Sequence, residues 1–356
     1  MKATRLTLRQ FTVFENATFE FAPGVNVFIG ENGTGKSHVL KLVYALTEAA
    51  RRFAAGQGLE GGVAATLEHL VRGMLLGVFQ PDGLDSFGTT DSAPATVALD
   101  FEGARLEVEL GPGDELTVRA DGAFTQVGRP LFIPPREVLS IFPGFVAAWL
   151  NRESAFDRTY FDLCVALELK VLRAGGRAAL LKTLLKPIEE ELGGRVMLKN
   201  GRFYVVYPGG DMEIPMVAEG DRKLAMIAYL LMNGSIYERV CLLWDEPEAN
   251  LNPKRARLMS DTAVGLARAG GQVFLATHDY VLTSDLALNA EADVGTPPLF
   301  AFFSLVRPRD RSGVVVERGR QLADLQDNAI LDAFAVLHER ERKAFQGDTG
   351  ADAEVR

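Results

Sequence analysis

Eight residues, GENGTGKS from Gly30 to Ser37, set glycines, a lysine and a hydroxyl at a spacing suited to one kind of chemistry. Gly30, Glu31, Asn32, Gly33, Thr34 and Gly35 can turn backbone N–H groups toward phosphate oxygens. Lys36 can set an ammonium against the β and γ phosphates, and Ser37 can offer a hydroxyl to Mg²⁺. Far downstream, CLLWDEPEANLNP places two carboxylates, Asp245 and Glu246, directly after four apolar residues. Asp245 is suited to hold Mg²⁺, through water or together with Ser37, and Glu246 to orient and deprotonate an attacking water. The run QVFLATHD then brings His278 to a strand end, where an imidazole can sense a γ-phosphate or fix that water. Together these residues describe phosphoryl transfer from ATP to water.

Such residues work only if strands and helices hold them at one end of a sheet. Val25 to Ile29 reads as a short buried strand after the turn Pro23-Gly24, and His38 to Ala50 carries apolar residues at helical spacing. The glycine-rich loop therefore joins a strand to a helix whose positive N-terminal end faces an anion. Asn252-Pro253 makes a helix start, an N-cap followed by proline, for a helix running to about Ala269 before Gly270-Gly271. With the strands on either side, this helix completes a strand-helix-strand unit that puts His278 at the same carboxyl-end crevice. In VAEGDRKLAMIAYLL, Gly220 stands just ahead of a strongly apolar helix, either as a second anion site or as an ordinary cap with Glu219 or Asp221 on the helix dipole.

The rest of the chain reads as alternating strands and helices. LTLRQFTVF and ATFEFA are early strands of a parallel-sheet core, and ATLEHLVRGMLLGVF is a helix followed by the loop QPDGLDSFGTTDSAPA. TVALDF, ARLEVEL, ELTVRA and LFI form an antiparallel run that closes at Pro134-Pro135. Val138 to Glu191 turns helical, GRVMLKN and RFYVVYP are strands, and LFAFFSLV, GVVVER and the charged helix NAILDAFAVLHERERKA follow His278.

The chain has 356 residues, 47% of them hydrophobic, enough for a sizeable core. Cys164 and Cys241 lie far apart without zinc spacing, so a reducing compartment, packing roles and no disulfide are expected. MKATRLTLRQ lacks the apolar core of a signal peptide, and LAMIAYLLM is too short to span a bilayer, so a cytoplasmic protein without a membrane segment is expected. A net charge of −9 argues against a surface that is basic overall. The basic stretch from Lys170 to Lys186 is the best candidate for a local patch that contacts nucleic acid, and its charge pattern favours a solvated helical face.

In combination these motifs resemble the ATP-binding-cassette class of P-loop ATPases, specifically the head domains of structural-maintenance-of-chromosomes (SMC), RecF-like and OLD-like proteins and their stand-alone bacterial relatives. GENGTGKS looks like Walker A, CLLWDEPE like Walker B with its glutamate, EANLNP like the D-loop and ATHD like the switch-histidine motif, and AEGDRK occupies the signature position. The resemblance implies an α/β fold, a P-loop head with a mixed central sheet, an antiparallel β-subdomain and a helical lobe. Residues 1–137 would form the nucleotide-binding lobe, 138–200 the helical lobe, and 201–356 the signature helix, Walker B, switch histidine and C-terminal elements of one composite domain.

The resemblance also implies ATP and Mg²⁺ as ligands and an ATP-dependent homodimer in which Ala218, Glu219, Gly220 and Arg222 of one chain meet the phosphate held by the other. The closing motion would act on DNA or on an effector protein. Two departures stand out: Ala218 replaces the usual signature serine, which suits slow or partner-stimulated hydrolysis, and no glutamine marks the lid. FIPPREVLS lies at the lid boundary, so Arg136 or Glu137 is the lid candidate. The residues after His278 show no cluster of metal-binding carboxylates, so a nuclease, if coupled to this ATPase, would belong to a partner. A transporter subunit would instead need a membrane partner.

Overall fold

The central sheet of the computed structural model sets five parallel strands side by side and draws them from distant parts of the chain. The structure describes residues 1–56, 66–89, 94–173, 175, 178–308 and 313–348. The sheet holds β3 (Val25–Gly30), β7 (Pro130–Ile133), β11 (Cys241–Asp245), β12 (Gln272–Thr277), β13 (Phe300–Val306) and β14 (Val315–Gly319), in the order β14-β13-β3-β12-β11-β7. Only β14 runs antiparallel to its neighbour, so the sheet is mixed. β3, β7, β11 and β12 are buried at every position, the pattern of parallel strands covered on both faces.

Those two faces carry different layers. Phe28, Phe132, Leu243, Phe274 and Phe303 point into one hydrophobic cluster, which packs against α1 (Lys36–Ala54), α2 (Leu67–Phe79) and a second sheet. That second sheet is antiparallel, with β1 (Ala3–Phe11), β2 (Phe14–Glu20), β4 (Ala95–Phe101), β5 (Ala104–Leu110) and β6 (Leu116–Gly122) in the order β2-β1-β4-β5-β6. β5 alternates buried and half-buried residues along its whole length, as a strand with one face on the core should.

Val25, Val27, Ile29, Leu242, Trp244, Val273 and Leu275 point to the other face. There they meet a helical layer of α3 (Phe145–Leu150), α4 (Arg158–Leu167), α5 (Ala178–Leu192), α6 (Glu219–Met232), α7 (Pro253–Arg268) and α8 (Tyr280–Glu291). A small antiparallel sheet, β8 (Arg195–Lys199), β9 (Arg202–Tyr207) and β10 (Gly210–Glu213), joins α5 to α6. The last helix, α9 (Ala329–Asp348), follows β14.

Several local expectations change. LFI does not end the antiparallel run: as β7 it becomes the parallel edge strand beside β11, with Leu131 opposite Leu242, because all four of its residues are buried. LTLRQFTVF and ATFEFA are not strands of the parallel core: the first breaks at Thr12 and Val13, where Thr12 takes φ 50°, and β1 (ending at Phe11) pairs antiparallel with β2 (Phe14–Glu20), which takes in most of the second. Neither β10 nor α8 was legible as an element. Of QPDGLDSFGTTDSAPA, residues 90–93 lie outside the described residues, as do 174, 176 and 177 of the basic stretch, whose Lys182 and Lys186 are exposed on α5.

Among the described residues no helix is long and apolar enough to cross a membrane. Cys164 and Cys241 are buried free thiols.

Candidate active site

The loop from Gly30 to Gly35 leaves β3 and enters α1 under tight steric control. Gly30 adopts φ 152°, and a Cβ there would lie 2.4 Å from the carbonyl oxygen of Leu305; Gly35 adopts φ 91°, and a Cβ there would lie 2.7 Å from the rings and methyls of Phe14 and Val13. Both positions need glycine, and β13 and the β1–β2 turn impose it. Thr34 Oγ1 donates to the carbonyl of Glu31 at 2.8 Å and closes the loop. Gly35 is the N-cap of α1 and supplies no side-chain cap, so the first-turn N–H groups are left for a ligand.

Lys36 is buried in this loop, and its Nζ donates to the carbonyls of Gly30 at 2.7 Å and Glu31 at 2.9 Å. Burial lowers its pKa, while Asp245, Glu246, Glu248 and Glu31 pull the other way. Arg307, just beyond β13, donates to the carbonyl of Gly33 at 3.4 Å, a second cation on the loop that no local motif announced.

Sheet order brings in the carboxylates, because β12 alone separates β3 from β11. Asp245 ends β11, and its carboxylate lies close enough to the Ser37 hydroxyl for that hydroxyl to pull its pKa down. Burial raises the pKa of Asp245 and the neighbouring Glu246 raises it further, while the Ser37 hydroxyl opposes both. A hydroxyl and a carboxylate side by side are the oxygen donors a hard divalent cation takes, so Ser37 and Asp245 fit Mg²⁺.

Glu246 follows in a left-handed conformation, φ 47°, with its N–H bonded to the carbonyl of Ala276 on β12 at 2.9 Å. That turn aims the carboxylate out of the sheet. Its Oε1 lies 3.3 Å from His278 Nδ1 at the end of β12. Asn32, Gly33, Gly35, Lys36, Ser37, His38 and Glu246 line one open pocket of about 170 Å³.

Two further site residues escaped the sequence reading. His38 is half-buried beside the loop, with Nδ1 3.1 Å from Thr12 Oγ1, and burial lowers its pKa, with Lys41 adding to the effect. Its position directly after Ser37, on the first turn of α1, was the available signal. Glu248 is buried beneath the turn; its Oε1 accepts from Thr277 Oγ1 at 2.7 Å, its Oε2 has no hydrogen-bond partner among the described residues, and burial raises its pKa.

The N-terminal end of α6 packs on the D-loop segment of its own chain. Ala218 is an N-cap without a side-chain bond. Glu219 accepts from Asn250 Nδ2 at 2.9 Å, and a Cβ on Gly220 would lie 3.0 Å from the Asn250 carbonyl. Arg255 of α7 pairs with Asp221 at 2.6 Å and Glu191 at 3.2 Å. Arg222 turns inward to Glu137, Nε to Oε1 at 2.8 Å, so its guanidinium is engaged within its own chain. Of the two lid candidates, Arg136 is exposed, whereas Glu137 is buried and also accepts from the N–H of Ser140 at 3.1 Å.

A family model described as an AAA domain matches residues 5–77, which contain the glycine-rich loop. The DNA replication and repair protein RecF of Cronobacter sakazakii is 30% identical over 159 residues, covering 42% of this chain and 43% of that protein. RecF of Citrobacter koseri is 46% identical over 46 residues, 13% of each chain. Thus the chain spans less than half the length of the curated relatives it matches. Among solved structures, an Smc head bound to the C-terminal winged-helix domain of ScpA covers 89% of this chain and 98% of its own at a TM-score of 0.54 and 13% identity. The Smc head with an extended coiled coil from Pyrococcus furiosus, bound to the C-terminal domain of ScpA, covers 95% and 99% at 0.52 and 12%.

The chain is similar to P-loop ATPases of the SMC and RecF type, in sequence over part of its length and in fold over most of it. At 12–13% identity the Smc likeness speaks for the fold alone, and the fold is that of an SMC-type head. The RecF-like stretch supplies the sequence tie.

Proposed function

We propose that this SMC/RecF-type head binds ATP with Mg²⁺ and hydrolyses it, closing into a homodimer with ATP and opening after hydrolysis. One observation carries the reading: Lys36, Ser37, Asp245, Glu246 and His278, contributed by three separate segments, converge on one side of the central sheet. Lys36, now resting on two loop carbonyls, moves its ammonium onto phosphate oxygens together with the free N–H groups of α1. Mg²⁺, held by Ser37 and Asp245, would neutralise charge on the phosphates.

Glu246 accepts a proton from a water whose oxygen attacks the γ-phosphorus as the bond to the β–γ bridging oxygen breaks, and His278 orients that carboxylate and its water. The exposed start of α6, with Ala218, Glu219 and Gly220, meets the γ-phosphate of a second copy. Arg222 stays with Glu137 and couples α6 to the lid segment, and Arg136, exposed beside it, serves as the outer lid contact. Ala218 in place of a serine suits slow or partner-stimulated turnover.

The output is a change passed to DNA or to an effector protein in the cytoplasm. The RecF relatives favour a task in DNA maintenance; the OLD-like resemblance of the motifs keeps antiphage defence, or a regulatory role in a nuclease complex, as the second reading, ahead of a transporter subunit. Calorimetry with ATP and Mg²⁺ on the wild type and on Lys36→Ala tests the site. Binding in the wild type and none in the variant is expected, and equal affinity in both would remove Lys36 from the phosphate site.

A further inference from the structure

Lys223 sits one helical turn into α6 and is 2% exposed, as buried as the leucines around it. A lysine is seldom placed so deep unless its ammonium finds partners. Here its three protons meet three backbone carbonyls: Glu246 at 2.8 Å, Ala249 at 3.2 Å and Pro135 at 3.2 Å. Each carbonyl belongs to a different functional stretch: the end of Walker B, the D-loop, and the residue preceding the lid candidates Arg136 and Glu137.

Two of these stretches are held in unusual backbone. Glu246 adopts φ 47° and Asn250 adopts φ 62°, left-handed conformations that are costly for a non-glycine residue and persist only when the surroundings enforce them. The N–H of Ala249 bonds back to the Glu246 carbonyl at 3.0 Å, and Lys223 adds a charge-assisted bond to that same oxygen. The ammonium lies in the field of four carboxylates, Glu248, Glu246, Glu219 and Asp245. The sequence offered one hint, because Lys223 shares a stripe with Ile227 and Leu230, all buried, at helical spacing.

We propose that Lys223 is a positioning residue for Glu246: it anchors the left-handed turn that aims the carboxylate at the attacking water, and links that turn to the signature helix and to the lid segment. Movement of α6 on closing then reaches the base through one side chain, without Lys223 touching nucleotide. This inference rests on the ATPase reading above.

The test is a pair of substitutions combined with Glu246→Gln. Lys223→Met keeps the bulk and removes the charge; Lys223→Arg keeps the charge. In the otherwise wild-type protein, Lys223→Met should leave ATP affinity within about threefold, since the phosphate loop is untouched, and lower kcat by roughly 10²-fold, the scale of a misplaced catalytic group. Lys223→Arg should recover part of that loss. In the Glu246→Gln background, Lys223→Met should lower the residual rate little further, because a residue acting through Glu246 has nothing left to position.

Equal fold-losses in both backgrounds, or a fall in affinity parallel to kcat, would overturn the proposal and leave Lys223 a general support of the core. If Lys223→Met does not fold, the same two-background comparison is made with Lys223→Arg, and the same two outcomes decide. A wild-type protein that neither binds nor hydrolyses ATP would sink the ATPase reading itself, which the Lys223 comparison cannot do.

Discussion

Arg222 Nε lies 2.8 Å from Glu137 Oε1, an ion pair that ties the first turn of α6 to the segment following β7. Two stretches that the sequence offers separately, one as signature and one as lid, are thus a single mechanical unit. Both side chains are largely removed from water, at 19% and 4% exposure, so the pair is no surface ornament.

Breaking this pair from one side should cost stability. Glu137→Gln keeps an acceptor for the Ser140 N–H but leaves the Arg222 guanidinium without its counter-charge. A loss of about 1–3 kcal/mol in urea unfolding is expected, below the full figure for a buried pair because Arg222 retains some access to water. Adding Arg222→Met should restore part of it; a double variant as unstable as the sum of the singles would mean that the two groups do not interact.

Glu246→Gln keeps the side chain's shape and its reach toward His278 but removes the negative charge. ATP binding should survive while steady-state turnover falls by roughly 10²-fold or more, the scale of a lost general base. Unchanged turnover would reduce Glu246 to an acid that shapes the strand end.

Dimer closure is best read in that same hydrolysis-blocked background. ATP should shift the mass measured by light scattering from monomer toward dimer, and ADP should not, because only the γ-phosphate reaches the opposing start of α6. Gly220→Arg should abolish the shift while ATP still binds. Since a Cβ there would already lie 3.1 Å from Arg255 Nη1 and 3.4 Å from Leu251 Cδ2, the substitution also presses on the D-loop. An unchanged mass with both nucleotides at saturation would refute the closed dimer.

The buried thiols give a pH test of the fold itself. Burial pushes Cys164 and Cys241 up to about 12, whereas an unfolded thiol titrates near 8.5. Below about pH 8.5 both states hold the protons and the contribution is fully present. Above it the unfolded chain loses protons that the folded one keeps, so stability falls as pH rises toward about 12, by on the order of 1 kcal/mol per pH unit for each thiol. Comparing urea unfolding of the wild type and of Cys164→Ala/Cys241→Ala at pH 7.5 and 9.5 isolates this effect, as the gap between them should shift against the wild type at the higher pH. A gap that does not move would mean the thiols titrate normally.

Much of the site was legible because the signals are local. Gly30 to Ser37, the apolar run before Asp245, and the Asn252 cap, whose Oδ1 accepts from the Arg255 N–H at 3.0 Å, each declare themselves within a dozen residues. The antiparallel strand β5 was equally plain, since a one-faced strand writes its burial as alternation along its whole length. LFI was misplaced for the converse reason. Four residues buried on both faces carry no alternation, so nothing local distinguishes the end of one sheet from the edge of another.

By itself, then, the sequence determined which residues are candidates to hold phosphate and metal, and in which strand-to-helix turns they stand, because backbone geometry and apolar periodicity act over short distances. Only the tertiary structure decided that β12 would separate β3 from β11 and so bring Ser37 to Asp245, that Arg222 would face Glu137, and that Lys223 would be buried under Glu246. Those pairings join residues far apart in the chain. Whether a charge is buried or solvated depends on which helix packs over it, and no spacing within a single segment records that.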